Sequence, residues 1–197
     1  MLCLQVLALL TRIILLLGLC GFCVVSRKEG RQSVQVADLS EFWSSQREIK
    51  LPACPGHEKL ILQLAESRSW VDFSQGIDIR LMTEEKADLI RRIKTKNVHF
   101  AWDQYEDKDW ILPKLKMFKD LTGLDRRKLS VYVLTNFNTT FEQDLERVYT
   151  LRDIGYTPYV MIYNKQSVKQ GSDLRRLQRW VNSRIAFAAV ERFEDFR

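Results

Sequence analysis

Past residue 30 the chain alternates short apolar runs rich in β-branched and aromatic residues with stretches of helical periodicity. This rhythm constrains the fold more than any other feature. Parallel strands cannot be joined by tight turns, so a repeated strand–helix–strand order dictates βα units around a parallel sheet.

The sequence predicts a strand over 70–81, then a helix whose N-cap is Thr83 and whose first turn carries Glu84 and Glu85, where carboxylates favour the helix dipole. A second strand follows over 97–104, and a helix runs from about Pro113 to Thr122, stopped by Gly123. The most strand-like segment is 128–138, with Val131, Val133 and Leu134. An amphipathic helix over 139–155 places Phe141, Leu145, Val148 and Leu151 or Arg152 at helical spacing and ends at Gly155. A fourth strand covers 157–164, and 172–193 reads as helix packing Leu174, Leu177, Trp180, Val181, Ile185 and Phe187. Upstream, 36–45 and 56–67 have helical patterns, joined by REIKLPACPG, which is too short and proline-rich for a central strand.

The first 25 residues are almost wholly apolar, with Arg12 their only charge, and Arg27, Lys28 and Arg31 follow. Such a stretch fits either a membrane span with basic residues on its cytoplasmic side or a buried strand of a parallel sheet. A cleaved signal peptide is disfavoured, because the start lacks a basic region and no small-residue cleavage site precedes Cys20. The four cysteines, Cys3, Cys20, Cys23 and Cys54, all fall in the first 54 residues, which argues for a reducing compartment rather than a disulfide framework.

A length of 197 residues allows one sizeable domain. The net charge of +6 comes from 31 basic and 25 acidic residues mixed along the chain, so charge alone identifies no nucleic-acid partner. Arg91, Arg92, Lys94 and Lys96, and Arg175, Arg176, Arg179 and Arg184, read as solvated helix faces, with phosphate contact as the alternative. His99 inside an apolar strand reads as a hydrogen-bonded core histidine, and no second histidine stands at zinc spacing. No glycine-rich phosphate loop or nucleophile elbow is present.

Polar residues collect where the predicted strands end: Gln75, Asp78 and Arg80, then Asp103 and Gln104, then Thr135, Asn136 and Asn138, then Tyr163 and Asn164. In parallel α/β sheets ligands bind at those carboxyl ends, where the loops converge. Each also has a structural reading: Asp78 with Arg80 as an ion pair, Asn136 with Asn138 as a helix cap at Thr139.

CGFCVVSRKEG, VDFSQGIDIRLMTEE, VHFAWDQYED, the block from Val131 to Tyr163 and LRRLQRWVNSR, in that order, resemble a bacterial group of radical S-adenosylmethionine (radical SAM) proteins. The resemblance runs from about residue 20 to the end. It implies an α/β fold, a partial (β/α) barrel of parallel strands with flanking helices, incomplete at the N-terminus. Residues 1–25 would be an atypical barrel start or membrane segment, 26–165 the barrel, and 166–197 a helical C-terminal segment. It implies a [4Fe-4S] cluster on three cysteines spaced C-x3-C-x2-C, with S-adenosylmethionine on the open iron and radical chemistry on an unnamed substrate. Soft thiolates on a short loop suit such a cluster. Cys20 and Cys23 match the second and third ligands, and Leu16 occupies the place of the first. No Gly-Gly-Glu-like motif is present near the shortened second strand. By position, Gln75, Arg80, Asp103, Thr135 and Asn136 would line the adenosylmethionine pocket or substrate cavity.

The resemblance therefore implies a cytoplasmic radical SAM-type protein, truncated or altered at its start, enzymatic if the cluster forms. Its partners would be an electron donor or a missing N-terminal half. The rival expectation is a non-catalytic scaffold domain held at a membrane through residues 2–25.

Overall fold

The computed structural model describes residues 3–9, 49–52, 57–73 and 76–197. Four strands follow one another along the chain, β3 (Trp70–Phe73), β4 (Thr95–Trp102), β5 (Leu129–Thr135) and β6 (Thr157–Ile162), preceded by β1 (Cys3–Leu9) and β2 (Ile49–Pro52). Every pairing is parallel, and the order across the sheet is β2-β1-β3-β4-β5-β6. The α/β expectation of parallel strands flanked by helices holds. From β3 to β6 each strand lies beside its predecessor, as in a (β/α) barrel, whereas β1 sits between β2 and β3. The Cys3–Leu9 run, apolar but for Gln5, suits an interior position; Ile49–Pro52, with its proline, takes the edge.

The helices are α1 (His57–Glu66), α2 (Glu84–Arg91), α3 (Lys108–Thr122), α4 (Phe141–Asp153), α5 (Asp173–Asn182) and α6 (Arg184–Ala189). Thr83 caps α2 as its position before two glutamates predicts, its hydroxyl accepting from the Lys86 amide. Gly123, at φ 62°, ends α3 in the left-handed conformation that glycine adopts at no steric cost. No helix among the described residues is long and apolar enough to cross a membrane.

Several boundaries differ from the sequence reading. β3 stops at Phe73 rather than running to Leu81, because Gly76 turns with φ 84° and the Asp78 carboxylate accepts from the Arg80 amide to start a 3-10 turn over Ile79–Leu81. α3 begins at Lys108, so Pro113 lies within it rather than opening it. Ile185 does not pack: it is 84% exposed, because α5 ends at Asn182 and the short α6 turns Phe187 inward instead. Residues 10–48, and with them Leu16, Cys20, Cys23 and the predicted helix over 36–45, lie outside the described residues.

Sheet register explains where the core sits. Val98, Phe100 and Trp102 on β4, Leu129, Val131 and Val133 on β5, and Val160 and Ile162 on β6 share one face and are buried. On that face, Ile61 and Leu64 of α1, Ala87 and Ile90 of α2, and Ile111, Leu115 and Phe118 of α3 complete one apolar cluster. Val148 of α4 and Leu177, Trp180 and Val181 of α5 join β6 in a second. Each fully buried aliphatic or aromatic side chain contributes about 1.5–3 kcal/mol, so this face holds the domain together.

The opposite face carries Asp72, Asn97, His99, Ala101, Ser130, Tyr132, Leu134, Tyr159 and Met161. Apart from Asp72 and Leu134 these side chains are half-buried or exposed, and none of them belongs to either apolar cluster.

Candidate functional site

The carboxyl ends of β4 and β5 are drawn together by one side chain. Arg147, from the middle of α4, is wholly buried. Its Nη1 donates to the carbonyls of Trp102 at 2.8 Å and Asp103 at 3.3 Å, and its Nη2 to the carbonyl of Leu134 at 2.7 Å and to Asp144 Oδ1 at 2.5 Å. The guanidinium thus supplies donors to carbonyls at the ends of two adjacent strands, and Asp144 neutralises it in place. A lysine, with a single compact head, cannot span these acceptors. Asp144 Oδ2 also accepts the Asn136 amide at 3.3 Å, which ties the β5–α4 loop to the same ion pair.

Asp103 lies just beyond β4, in the field of Arg147 and Arg80 and of the carboxylates Asp107 and Asp78. Burial dominates that balance and carries its pKa up to about 6, because a desolvated carboxylate is disfavoured more than the two arginines favour it. Asp78 is likewise pushed upward by burial, against the opposing pull of Arg80. Arg80 grips Asp78 through two donors, Nε to Oδ1 and Nη2 to Oδ2, both at 2.9 Å, so the ion-pair reading of these two residues is correct. Lys114 of α3 donates to the carbonyls of Arg80 at 2.6 Å and Met82 at 3.0 Å, holding the turn against the helix layer.

The rim beyond β5 is built differently. Thr135 is fully buried, and its hydroxyl donates to the Met161 carbonyl at 3.2 Å. Asn136 is exposed, adopts φ 61°, and donates from Nδ2 to the Tyr163 carbonyl at 3.0 Å. Asn138 also has a left-handed backbone, but neither asparagine caps α4. Thr140 does, in a capping box with Gln143: each side chain accepts from the other's backbone amide.

The candidate site residues therefore divide. Arg80 and Asp103 share one electrostatic cluster with Asp78 at the β3–β4 rim. Thr135 and Asn136 close the β5–β6 rim through backbone contacts. Gln75, Cys20 and Cys23 lie outside the described residues. Sequence reasoning missed Arg147, which is not among the apolar positions that mark the buried stripe of α4; the only local signal is the three-residue spacing from Asp144.

On the open face, His99 Nδ1 and Ser130 Oγ share a hydrogen bond at 2.6 Å, and the His99 ring stacks on Tyr132 with centroids 5.2 Å apart. Burial lowers the His99 pKa, partly offset by Asp72, so the imidazole is neutral near pH 7. Hydrogen-bonded rather than metal-bound is what the sequence predicts for this histidine.

No group of three His, Cys, Asp or Glu side chains that could hold a metal occurs among the described residues. The chain matches no family model, no curated protein and no solved structure.

Proposed function

We propose that this chain is a radical SAM-type partial (β/α) barrel that keeps a ligand cavity but carries an incomplete set of cluster ligands. The observation carrying the reading is that, among the described residues, the apolar clusters lie on one face of the parallel sheet. In a doubly wound sheet helices cover both faces, whereas in a (β/α) barrel they lie outside and the inner face lines the lumen. Here α1 to α5 pack on one face of β3–β6, and the other presents His99, Ser130, Tyr132 and Tyr159. That face leads to the carboxyl rim where Asp103, Asp78 and Arg80 cluster, the end at which parallel α/β sheets take their ligands.

The donor set does not fit the family's cluster. Two thiolates, Cys20 and Cys23, stand where three are needed, and Leu16 holds the remaining position. The rim itself suits the amino and hydroxyl groups of an adenosylmethionine-like ligand, with Asp103 able to accept or, when protonated, to donate a hydrogen bond near neutral pH.

Anaerobic reconstitution with iron and sulfide tests the reading. The Leu16→Cys variant is expected to bind iron and gain visible charge-transfer absorption well above that of the wild type. Iron uptake by neither form would overturn it.

A further inference from the structure

Beyond β6 the sheet ends against α5. A cavity of about 450 Å³ opens there, within the range of small-ligand pockets. Its walls include Lys165, Arg175, Arg176 and Arg179, with Tyr159 of β6 and Asn182 of α5, and no carboxylate lines it. Four cations face one hollow. Asp173 pairs with Arg176 at 3.4 Å, and no other acidic side chain among the described residues pairs with these four.

The cations are held rather than loose. Arg175 Nη2 donates to the carbonyls of Lys165 at 2.5 Å and Val168 at 3.1 Å. The guanidinium carbons of Arg176 and Arg179 lie 4.2 and 5.3 Å from the ring centres of Phe193 and Phe196. The Nε atoms of Arg175 and Arg176 are buried with no hydrogen-bond partner. By contrast, Arg91 at the end of α2 and Arg92 just after it both pair with Asp88, at 2.6 and 2.8 Å, as a solvated helix face should.

Tyr159 supplies a second kind of contact. It is 45% exposed, and its ring meets Tyr132 edge-on at 5.7 Å, with Tyr132 in turn stacked on His99. An aromatic platform fixed beside an acid-free basic hollow matches the two halves of a nucleotide, a planar base and a phosphate.

We propose that this cavity binds a nucleotide unit, its phosphate among Lys165, Arg175, Arg176 and Arg179 and its base on Tyr159. The site is separate from the β3–β4 rim and does not depend on the radical SAM reading. The nucleotide comes either free or as part of a single strand, and the measurement separates the two.

Full-length protein is titrated with ADP, with inorganic pyrophosphate and with a single-stranded oligouridylate at two salt concentrations. Expected are binding of ADP, and a loss of about tenfold or more in the double variant Lys165→Gln/Arg179→Gln, whose residues are exposed. Tyr159→Ala should weaken ADP and the oligonucleotide while leaving pyrophosphate unchanged. Tighter, steeply salt-dependent binding of the oligonucleotide assigns the site to a strand, through counterion release, and equal binding assigns it to the free nucleotide. Arg91→Gln/Arg92→Gln should change nothing. No binding of any of the three, an equal loss in that control, or a Tyr159→Ala variant that binds ADP as tightly as wild type would overturn the proposal.

Discussion

Asp103 shows how a single carboxyl reports its surroundings. Two arginines act on it, yet burial and two neighbouring carboxylates prevail, and its pKa rises to about 6. Because the folded-state value is raised, the native state binds a proton that the unfolded chain has already released between about pH 4 and about pH 6. Asp103 therefore costs stability as pH rises through that window. Asp103→Asn should melt at a higher temperature than wild type at about pH 7.5, with the gap shrinking as pH falls below about 6 and closing near about pH 4. Melting curves of both proteins across that range decide it, and a gap that widens on acidification contradicts the assignment. None of this was legible in the residue string. Asp103 was visible as a polar residue at a strand end, but its neighbours Asp78 and Arg80 come from the β3–α2 loop and Arg147 from α4, and only the packing of those elements on the sheet brings them near.

At the scale of elements, local chemistry settles more. The Thr140–Gln143 box opens α4 and satisfies donors that the first turn would otherwise leave unpaired. Thr139, one residue earlier, has a buried hydroxyl oxygen without a partner. Thr140→Ala should lower stability by about 1 kcal/mol, whereas Thr139→Ala should be close to neutral. Urea unfolding of the two variants makes the comparison, and equal losses would show that the box does not hold the helix. The sequence placed α2, α4 and the strands β4 to β6 within a few residues, because their caps, glycines and apolar periods agree with the fold. It extended β3 too far because Ile77 and Ile79 look strand-like, while Gly76 and the Asp78 side chain bend the chain into a turn. A helix cap was the structural alternative for Asn136 and Asn138, yet Thr140 caps α4 and both asparagines have left-handed backbones in the preceding loop.

At the scale of the whole molecule, the sheet must end somewhere, and among the described residues β6 is its last strand. Asn182 covers that edge: its Oδ1 accepts the Val160 amide at 2.8 Å and its Nδ2 donates to the Val160 carbonyl at 3.0 Å, joined by Gln178 Nε2 at 3.0 Å. Side chains of α5 thus occupy groups that another strand would pair. Asn182→Leu should expose them and promote edge-to-edge association, seen as concentration-dependent sedimentation of the variant against an unchanged wild type. Equal sedimentation at all concentrations would show that the edge is protected by other means.

The sequence by itself determined that this chain builds parallel βα units, since the order of apolar runs and capped helices leaves the backbone few other ways to pair its donors and acceptors. Tertiary structure alone decided which face of the sheet the helices cover, which strand lies at the edge, and that Arg147 is buried beneath the rim. Those outcomes depend on contacts between residues far apart in the chain, and on desolvation that no local pattern encodes.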